Sequence, residues 1–474
     1  MDNRFITSAS IVSNIQGKMN NFIDIKNKRI TIIGLRESGF RSAKLANYLG
    51  GKIFGSDISE SLEVSNNAMR LMTENHIPTE TGKHTKKIFE TDFWIISPGI
   101  PKTSKIILEA KTKGIPIYSE LEFASWYTKS PIIAITGSNG KTTTSLLLLE
   151  IIKKKYSNSV VAGNIGIPFS KLVLEELINP VENRFFILEV SSFQLEFIQS
   201  FKPIVSIYTN ISHDHLDRHK TMDEYISMKL RMIENMDESG FIIYKSKDKI
   251  LKKKFKNSNL NTIPVDAFSS QNQYYVKDSY LYKSGEKILK MENFNLIGKH
   301  NYLNLVSAIT CSSLFDIPIE EIKKAICDFN FIEHRQELVL VKDNISYIND
   351  SKATNIDSVI CAIKTYKKPT LILIGGYNKN SKFQLLLPHI KASAIKFIIC
   401  FGDAGKLIKT ALGDAVRSFL CKDLNSAVMK ASKLAISGDI ILLSPGCASF
   451  DEFKNYEDRG NYFKKLIKSL AEND

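Results

Sequence analysis

Short β-branched and aromatic runs recur along the chain, and most of them end on a glycine, a hydroxyl or a carboxylate. Residues 28–34 (Lys-Arg-Ile-Thr-Ile-Ile-Gly) and 52–57 (Lys-Ile-Phe-Gly-Ser-Asp) read as two strands. Between them lie a turn at 35–39 and helical spacing over 40–49, which together make a β-α-β unit of dinucleotide-binding type. Runs at 92–100 and 114–120 predict later strands of the same sheet. A second series begins with the strand 132–135 and continues at 184–192, 204–210, 241–244 and 274–276. A helix then opens at Lys299 and runs through Cys311. The third series, at 345–349, 370–374, 395–400 and 439–443, repeats the β-α theme and delivers a polar or glycine-rich loop after each strand. Ligands on open α/β sheets sit beyond the carboxyl ends of the strands. The loops at 350–355, 375–379, 402–405 and 444–449 therefore predict a binding surface.

This pattern predicts an α/β chain of three domains in series. They are a Rossmann-like N-terminal domain over 29–128, a central P-loop ATPase-type α/β domain over 129–331 and a Rossmann-like C-terminal domain over 332–474. Residues 1–28 are polar and aperiodic and read as a loosely held extension, and 328–332 read as a hinge.

The sharpest chemistry follows the strand 132–135, where Gly137-Ser138-Asn139-Gly140-Lys141-Thr142-Thr143 leads directly into an apolar helix. The glycines permit a tight turn whose backbone N–H groups point at phosphate, and the new helix adds its own unpaired N–H groups. Lys141 can reach terminal phosphates, and the Thr142 hydroxyl can ligate a phosphate-bound Mg²⁺. The loop is one residue shorter than the usual phosphate loop. In the first β-α-β unit, Arg36 stands where a dinucleotide-binding turn would carry glycine.

Strand-end Glu189 and the segment His213-Asp-His215-Leu-Asp217 add carboxylates and imidazoles. Carboxylate, hydroxyl and phosphate oxygens suit Mg²⁺. Zinc at His213-x-His215 is the weaker reading, because no companion His/Cys pair has ligand spacing. Composition narrows the partners. Apolar content of 43% and charged content of 24% are those of a soluble globular protein. The formal charge of +14 has no Arg/Lys stripe interleaved with aromatics, which favours anionic small substrates over nucleic acid. All six cysteines lie at 311 or later without a Cys-x-x-Cys pair, as in a reducing cytoplasm. The longest apolar run, near Leu146, is too short for membrane insertion, and the expected location is cytoplasmic.

Taken together, these motifs resemble the Mur ligases, the amino-acid-adding enzymes of peptidoglycan synthesis, which share their central fold with folylpolyglutamate synthase. The segments 189–196 (Glu-Val-Ser-Ser-Phe-Gln-Leu-Glu), 214–218 (Asp-His-Leu-Asp-Arg), 349–355 (Asn-Asp-Ser-Lys-Ala-Thr-Asn) and 444–453 (Ser-Pro-Gly-Cys-Ala-Ser-Phe-Asp-Glu-Phe) resemble the branch that adds D-glutamate to UDP-N-acetylmuramoyl-L-alanine. The resemblance implies ATP and Mg²⁺ as cofactors, an acyl-phosphate intermediate and a monomer. It implies ATP contacts from Gly137, Ser138, Asn139, Gly140, Lys141, Thr142, Thr143, Asn301, Asn304, Arg335 and Asp350. Metal ligands would be Thr142, Glu189, His215 and Lys229, the last as a carbamate. Catalytic roles fall to Lys141, His215, Lys229, Asp350 and Lys352. Gly34, Leu35, Asp57, Ile58, Ser97 and Gly99 would hold UDP, with Asn164 and Ser191 lining the muramoyl group. Thr354, Lys379, Ser449 and Tyr456 match the D-glutamate side. Another Mur ligase or a folylpolyglutamate synthase, and a nucleotide-dependent binding or regulatory ATPase that makes no amide, are the competing readings.

Overall fold

The computed structural model describes residues 22–212, 214, 218–296, 298–329, 333–378 and 381–472. They fall into two compact units. The first takes the chain up to Ile211 with Thr221–Met291 and Leu303–Ile326. The second takes Ser212–Lys220, Glu292–Tyr302 and the chain from Cys327 on.

The first unit contains three sheets. Strands β1 (Arg29–Ile33), β2 (Lys52–Asp57), β3 (Thr79–Thr81), β4 (Phe93–Ile96) and β5 (Ile117–Ser119) form a parallel sheet in the order β3-β2-β1-β4-β5. Next come β6 (Ile132–Thr136), β7 (Val160–Gly163), β8 (Phe186–Glu189), β9 (Val205–Tyr208), β10 (Phe241–Lys245) and β11 (Asn261–Val265). These six are also parallel, in the order β11-β10-β9-β6-β8-β7. Their β-branched residues point into a core packed on both faces, and β6 is buried at every position. A small antiparallel sheet, β12 (Tyr274–Lys277), β13 (Tyr280–Lys283) and β14 (Glu286–Lys290), completes the unit.

The second unit is built on one six-stranded sheet. Its strands are β15 (Glu337–Lys342), β16 (Ile345–Asn349), β17 (Thr370–Gly375), β18 (Ile395–Phe401), β19 (Ser418–Leu420) and β20 (Ile440–Gly446). Their order is β15-β16-β20-β17-β18-β19, with only β15 antiparallel to its neighbour.

Each strand expected from an apolar run is present, with ends shifted by a few residues. Seven further strands lie outside those runs: β3, β7, β11, β13, β14, β15 and β19. They are edge strands or members of the small sheet, and most of their residues are half-buried or exposed. A strand with neither face sealed does not need a continuous apolar run. Of the expected hinge, residues 330–332 lie outside the described residues. No helix among the described residues is long and apolar enough to cross a membrane.

Candidate active site

The central sheet sets the first cluster. β6 lies between β9 and β8, the position where the direction of the crossovers reverses and a crevice opens at the carboxyl edge. After Thr136 the chain turns through residues 137–140 into the helix Lys141–Ile152, anchored by buried Leu147, Leu148, Ile151 and Ile152. Gly140 has φ +87°, where a side chain is strained, and a Cβ there would lie 2.5 Å from Asn304 Oδ1. A Cβ on Gly137 would run into the Thr209 hydroxyl. The strand-end loop after β9 holds the turn open. Ser138 N–H donates to Asn210 O at 2.9 Å, and Asn139 N–H donates to Asn210 Oδ1 at 3.0 Å. The Thr209 hydroxyl donates to Asn139 O at 2.6 Å. The Lys141 ammonium folds back over the turn, donating to Gly137 O at 2.9 Å and Ser138 O at 3.0 Å.

Register brings the carboxylate to this turn, because Ile135 pairs with Glu189 across β6 and β8. Glu189 is buried and accepts from the Thr142 hydroxyl at 2.7 Å and from Asn164 Nδ2 at 2.8 Å. A carboxylate has about four lone-pair directions. Two neutral donors thus leave Glu189 with capacity for a cation. Hydroxyl, carboxylate and amide oxygens together form a donor set that fits a hard ion such as Mg²⁺. Beside them the Lys229 side chain is buried, with Nζ donating to Gly137 O at 3.0 Å and to Thr136 Oγ1 at 3.4 Å. It sits 4.7 Å from the Tyr225 ring centroid, and the Tyr225 hydroxyl is 3.0 Å from Ser138 Oγ. Thr143 is buried in the same helix, and Asn304 lies 3.4 Å from the Thr144 hydroxyl. Ser191 is half-buried, its hydroxyl donating to Gln194 Oε1 at 3.0 Å. His213 and His215 lie outside the described residues.

The first sheet assembles a second cluster at its carboxyl edge. Gly34 has φ +92°, and the Ser97 hydroxyl donates to its carbonyl at 3.1 Å. Asp57 is buried, and its two oxygens accept from Leu35 N–H at 2.7 Å and Ser59 N–H at 2.8 Å. In this structure Asp57 shapes the turn after β1. Ile58 is exposed, and a Cβ on Gly99 would meet nothing within 4 Å. Arg36 is exposed at the head of the helix Glu37–Tyr48.

The second unit holds a third cluster. Asp350 is buried at the end of β16, accepting from the Ser444 hydroxyl at 2.9 Å and Gln336 N–H at 3.3 Å. Burial pushes its carboxyl up to about 7, against the Arg335 charge and these two hydrogen bonds. His300 is held down to about 4, first by burial and then by Arg335. Arg335 Nε, Gln336 Oε1 and the Tyr366 hydroxyl are buried without a hydrogen-bond partner among the described residues. Orphaned donors and an orphaned acceptor near one carboxyl suit a polar, hydroxyl-bearing ligand such as a nucleoside. Asn301 is buried in the first turn of the helix Lys299–Ser313, the part of that helix that belongs to this unit. Lys352 Nζ donates to the Tyr456 hydroxyl at 2.9 Å, Ser449 is buried and Thr354 is half-buried. Lys379 lies outside the described residues.

Two participants escaped the sequence reading. Arg459 is fully buried in the helix Tyr456–Glu472, with its guanidinium donating to Ser351 Oγ and O and to the carbonyls of Cys447 and Ala448. It fastens the 350–355 loop to the 444–449 loop. Within a charged helical stretch such an arginine reads as a solvated face, so no signal marked it. Tyr225 had a signal, since it lies four residues before Lys229 on the same helix face.

Family comparisons agree with this arrangement of sheets. "MurD N-terminal domain" matches residues 29–106, "Mur ligase middle domain" 135–312 and "Mur ligase, glutamate ligase domain" 334–447. A UDP-N-acetylmuramoylalanine–D-glutamate ligase of Christiangramia forsetii is 37% identical over 452 residues, spanning 94% of this chain and 100% of the relative. Its counterpart in Koribacter versatilis is 34% identical over 463 residues, spanning 95% and 100%. Among solved structures, the UDP-N-acetylmuramate-alanine ligase MurC of Thermotoga maritima superimposes with a TM-score of 0.58 over 94% of this chain and 100% of its own. At 17% identity that likeness is one of fold.

Proposed function

The chain belongs to the Mur ligase family, and from that premise we propose that it joins D-glutamate to UDP-N-acetylmuramoyl-L-alanine at the expense of ATP. The observation that carries this reading is the meeting of Lys141, Thr142, Glu189 and Lys229 on the Gly137–Gly140 turn. A carboxylate is a poor electrophile, so amide formation needs activation. The γ-phosphoryl group of ATP passes to an oxygen of the alanine carboxylate, releasing ADP. The amine of D-glutamate attacks the acyl carbon, the amine proton leaves, and inorganic phosphate departs with the transferred oxygen. Negative charge accumulates in both steps, and fixed cations and N–H donors stabilise it.

In this account Lys141 and the N–H groups of 137–143 hold the terminal phosphates. Thr142 and Glu189, with His215 and a carbamylated Lys229, would hold Mg²⁺, which supplies charge neutralisation between phosphate oxygens. Asn301, Asn304, Arg335 and Asp350 take the nucleoside side. Gly34, Leu35, Asp57, Ile58, Ser97 and Gly99 take UDP, and Asn164 with Ser191 takes the muramoyl-alanine. Lys352, Thr354, Lys379, Ser449 and Tyr456 take D-glutamate, with Arg459 setting two of their loops. The proposed domain limits are 29–128, 129–331 and 332–474, and the proposed setting is a cytoplasmic monomer.

Phosphate release from purified protein, ATP and Mg²⁺ tests this reading, with UDP-N-acetylmuramoyl-L-alanine and a panel of amino acids supplied in turn. Release should require both the UDP substrate and D-glutamate. Release with a different amino acid would assign a sister ligase. Release needing neither would assign an ATPase that makes no amide.

A further inference from the structure

One side-chain relay in the first sheet has no role in the reading above. Ser56 lies on β2, Glu80 on β3, and His84 three residues beyond the end of β3. The Ser56 hydroxyl donates to Glu80 Oε1 at 2.7 Å and lies 2.7 Å from His84 Nδ1. Glu80 also accepts from Thr85 N–H at 2.9 Å and the Thr85 hydroxyl at 2.7 Å. Burial raises the Glu80 carboxyl, but these hydrogen bonds outweigh it and hold the group below its ordinary range. Glu80 is therefore a carboxylate at neutral pH and can only accept. The single hydroxyl proton of Ser56 is committed to it, so Ser56 Oγ must receive Nδ1–H from His84. Burial also holds His84 below its usual value, against Glu80 and Asp57, and the ring is neutral. That fixes the tautomer, and Nε2 carries the lone pair. Nε2 has no hydrogen bond among the described residues.

The position of this fixed acceptor limits what it can meet. β3, β2, β1 and β4 lie side by side, and His84, Asp57, Gly34 and Ser97 all stand at their carboxyl edge. Ligands of such sheets lie along that edge. The two carboxylates acting on His84 repel phosphate and favour a neutral N–H or O–H donor. Diphosphate is better served at the head of the helix Glu37–Tyr48, beside Arg36. We propose that His84 Nε2 accepts a hydrogen bond from the nucleoside of the UDP-linked substrate, either uracil N3–H or a ribose hydroxyl. His84 is then a specificity residue, held by Ser56 and Glu80. This inference rests on the reading that the first sheet binds UDP.

Calorimetric titration of the full chain with UDP, N3-methyl-UDP, 2′-deoxy-UDP and 3′-deoxy-UDP tests it. One analogue should bind the wild-type protein about tenfold more weakly than UDP, which identifies the donor. His84→Ala should bind UDP about tenfold more weakly and bind that analogue as well as it binds UDP. Two results overturn the proposal: all three analogues matching UDP on the wild-type protein, or His84→Ala keeping the wild-type discrimination. The analogue comparison needs no variant, so misfolding of His84→Ala leaves it decisive. Failure of the wild-type protein to bind UDP at all would instead remove the substrate reading beneath it.

Discussion

Two buried side chains carry predictions that the surrounding fold does not blur. The Asp350 carboxyl ionises near 3.8 when unfolded and near 7 in the folded chain. Between those values the folded state holds the extra proton, so the contribution of Asp350 to stability falls as pH rises across that window and levels off above it. Each unit of separation is worth about 1.4 kcal/mol. Asp350→Asn removes the ionisable carboxyl, so the stability of the variant relative to wild type should climb from pH 4 to pH 7 in urea titrations. A flat difference would mean that Asp350 ionises normally. Lys229 is the second case, because its Nζ is enclosed by Gly137 O, Thr136 Oγ1 and the Tyr225 ring. If it works as a carbamate, Lys229→Ala should lose about 10²-fold or more in turnover and regain part of it with formate or acetate. No recovery with any small carboxylate would leave Lys229 as a plain cation. The sequence named both residues, but the burial that shifts Asp350 arises from β16 and β20 pairing in space.

At the scale of elements, the glycine turn between β6 and its helix is the part most fully written in the sequence. Its β-branched strand, two glycines and apolar helix each require the neighbouring piece, and the structure supplies all three. Gly140→Ala should cost about 1–3 kcal/mol and weaken ATP binding, since it combines a left-handed backbone with a Cβ 2.5 Å from Asn304 Oδ1. Gly166→Ala, with φ +65° and open space around it, should cost only about 1 kcal/mol. Equal losses in denaturant titrations would mean that the Asn304 contact is unimportant. Edge strands such as β3 and β19 were not legible, because half-exposed residues lack a periodic apolar signature. Arg459 was hidden for a related reason: its partners are carbonyls of two distant loops, and no local spacing encodes those. The His84 relay likewise depends on β2 and β3 lying adjacent.

At the scale of the whole molecule, a net charge of +14 meets proposed substrates that are all anions. Fixed positive charge raises the encounter rate with anions, and salt screens it over about 10 Å at 0.1 M. KM for D-glutamate and for the UDP substrate should therefore rise with ionic strength while turnover at saturation stays nearly constant. A KM indifferent to salt would mean that the excess lysine is only compositional. The central claim concerns an oxygen atom, and isotope labelling follows it directly. With ¹⁸O in the alanine carboxylate of UDP-N-acetylmuramoyl-L-alanine, mass spectrometry of the released phosphate reports how the carboxylate was activated. The account predicts one ¹⁸O in phosphate for every amide bond formed. Unlabelled phosphate would mean that water, and not the substrate carboxylate, receives the phosphoryl group, and would contradict it.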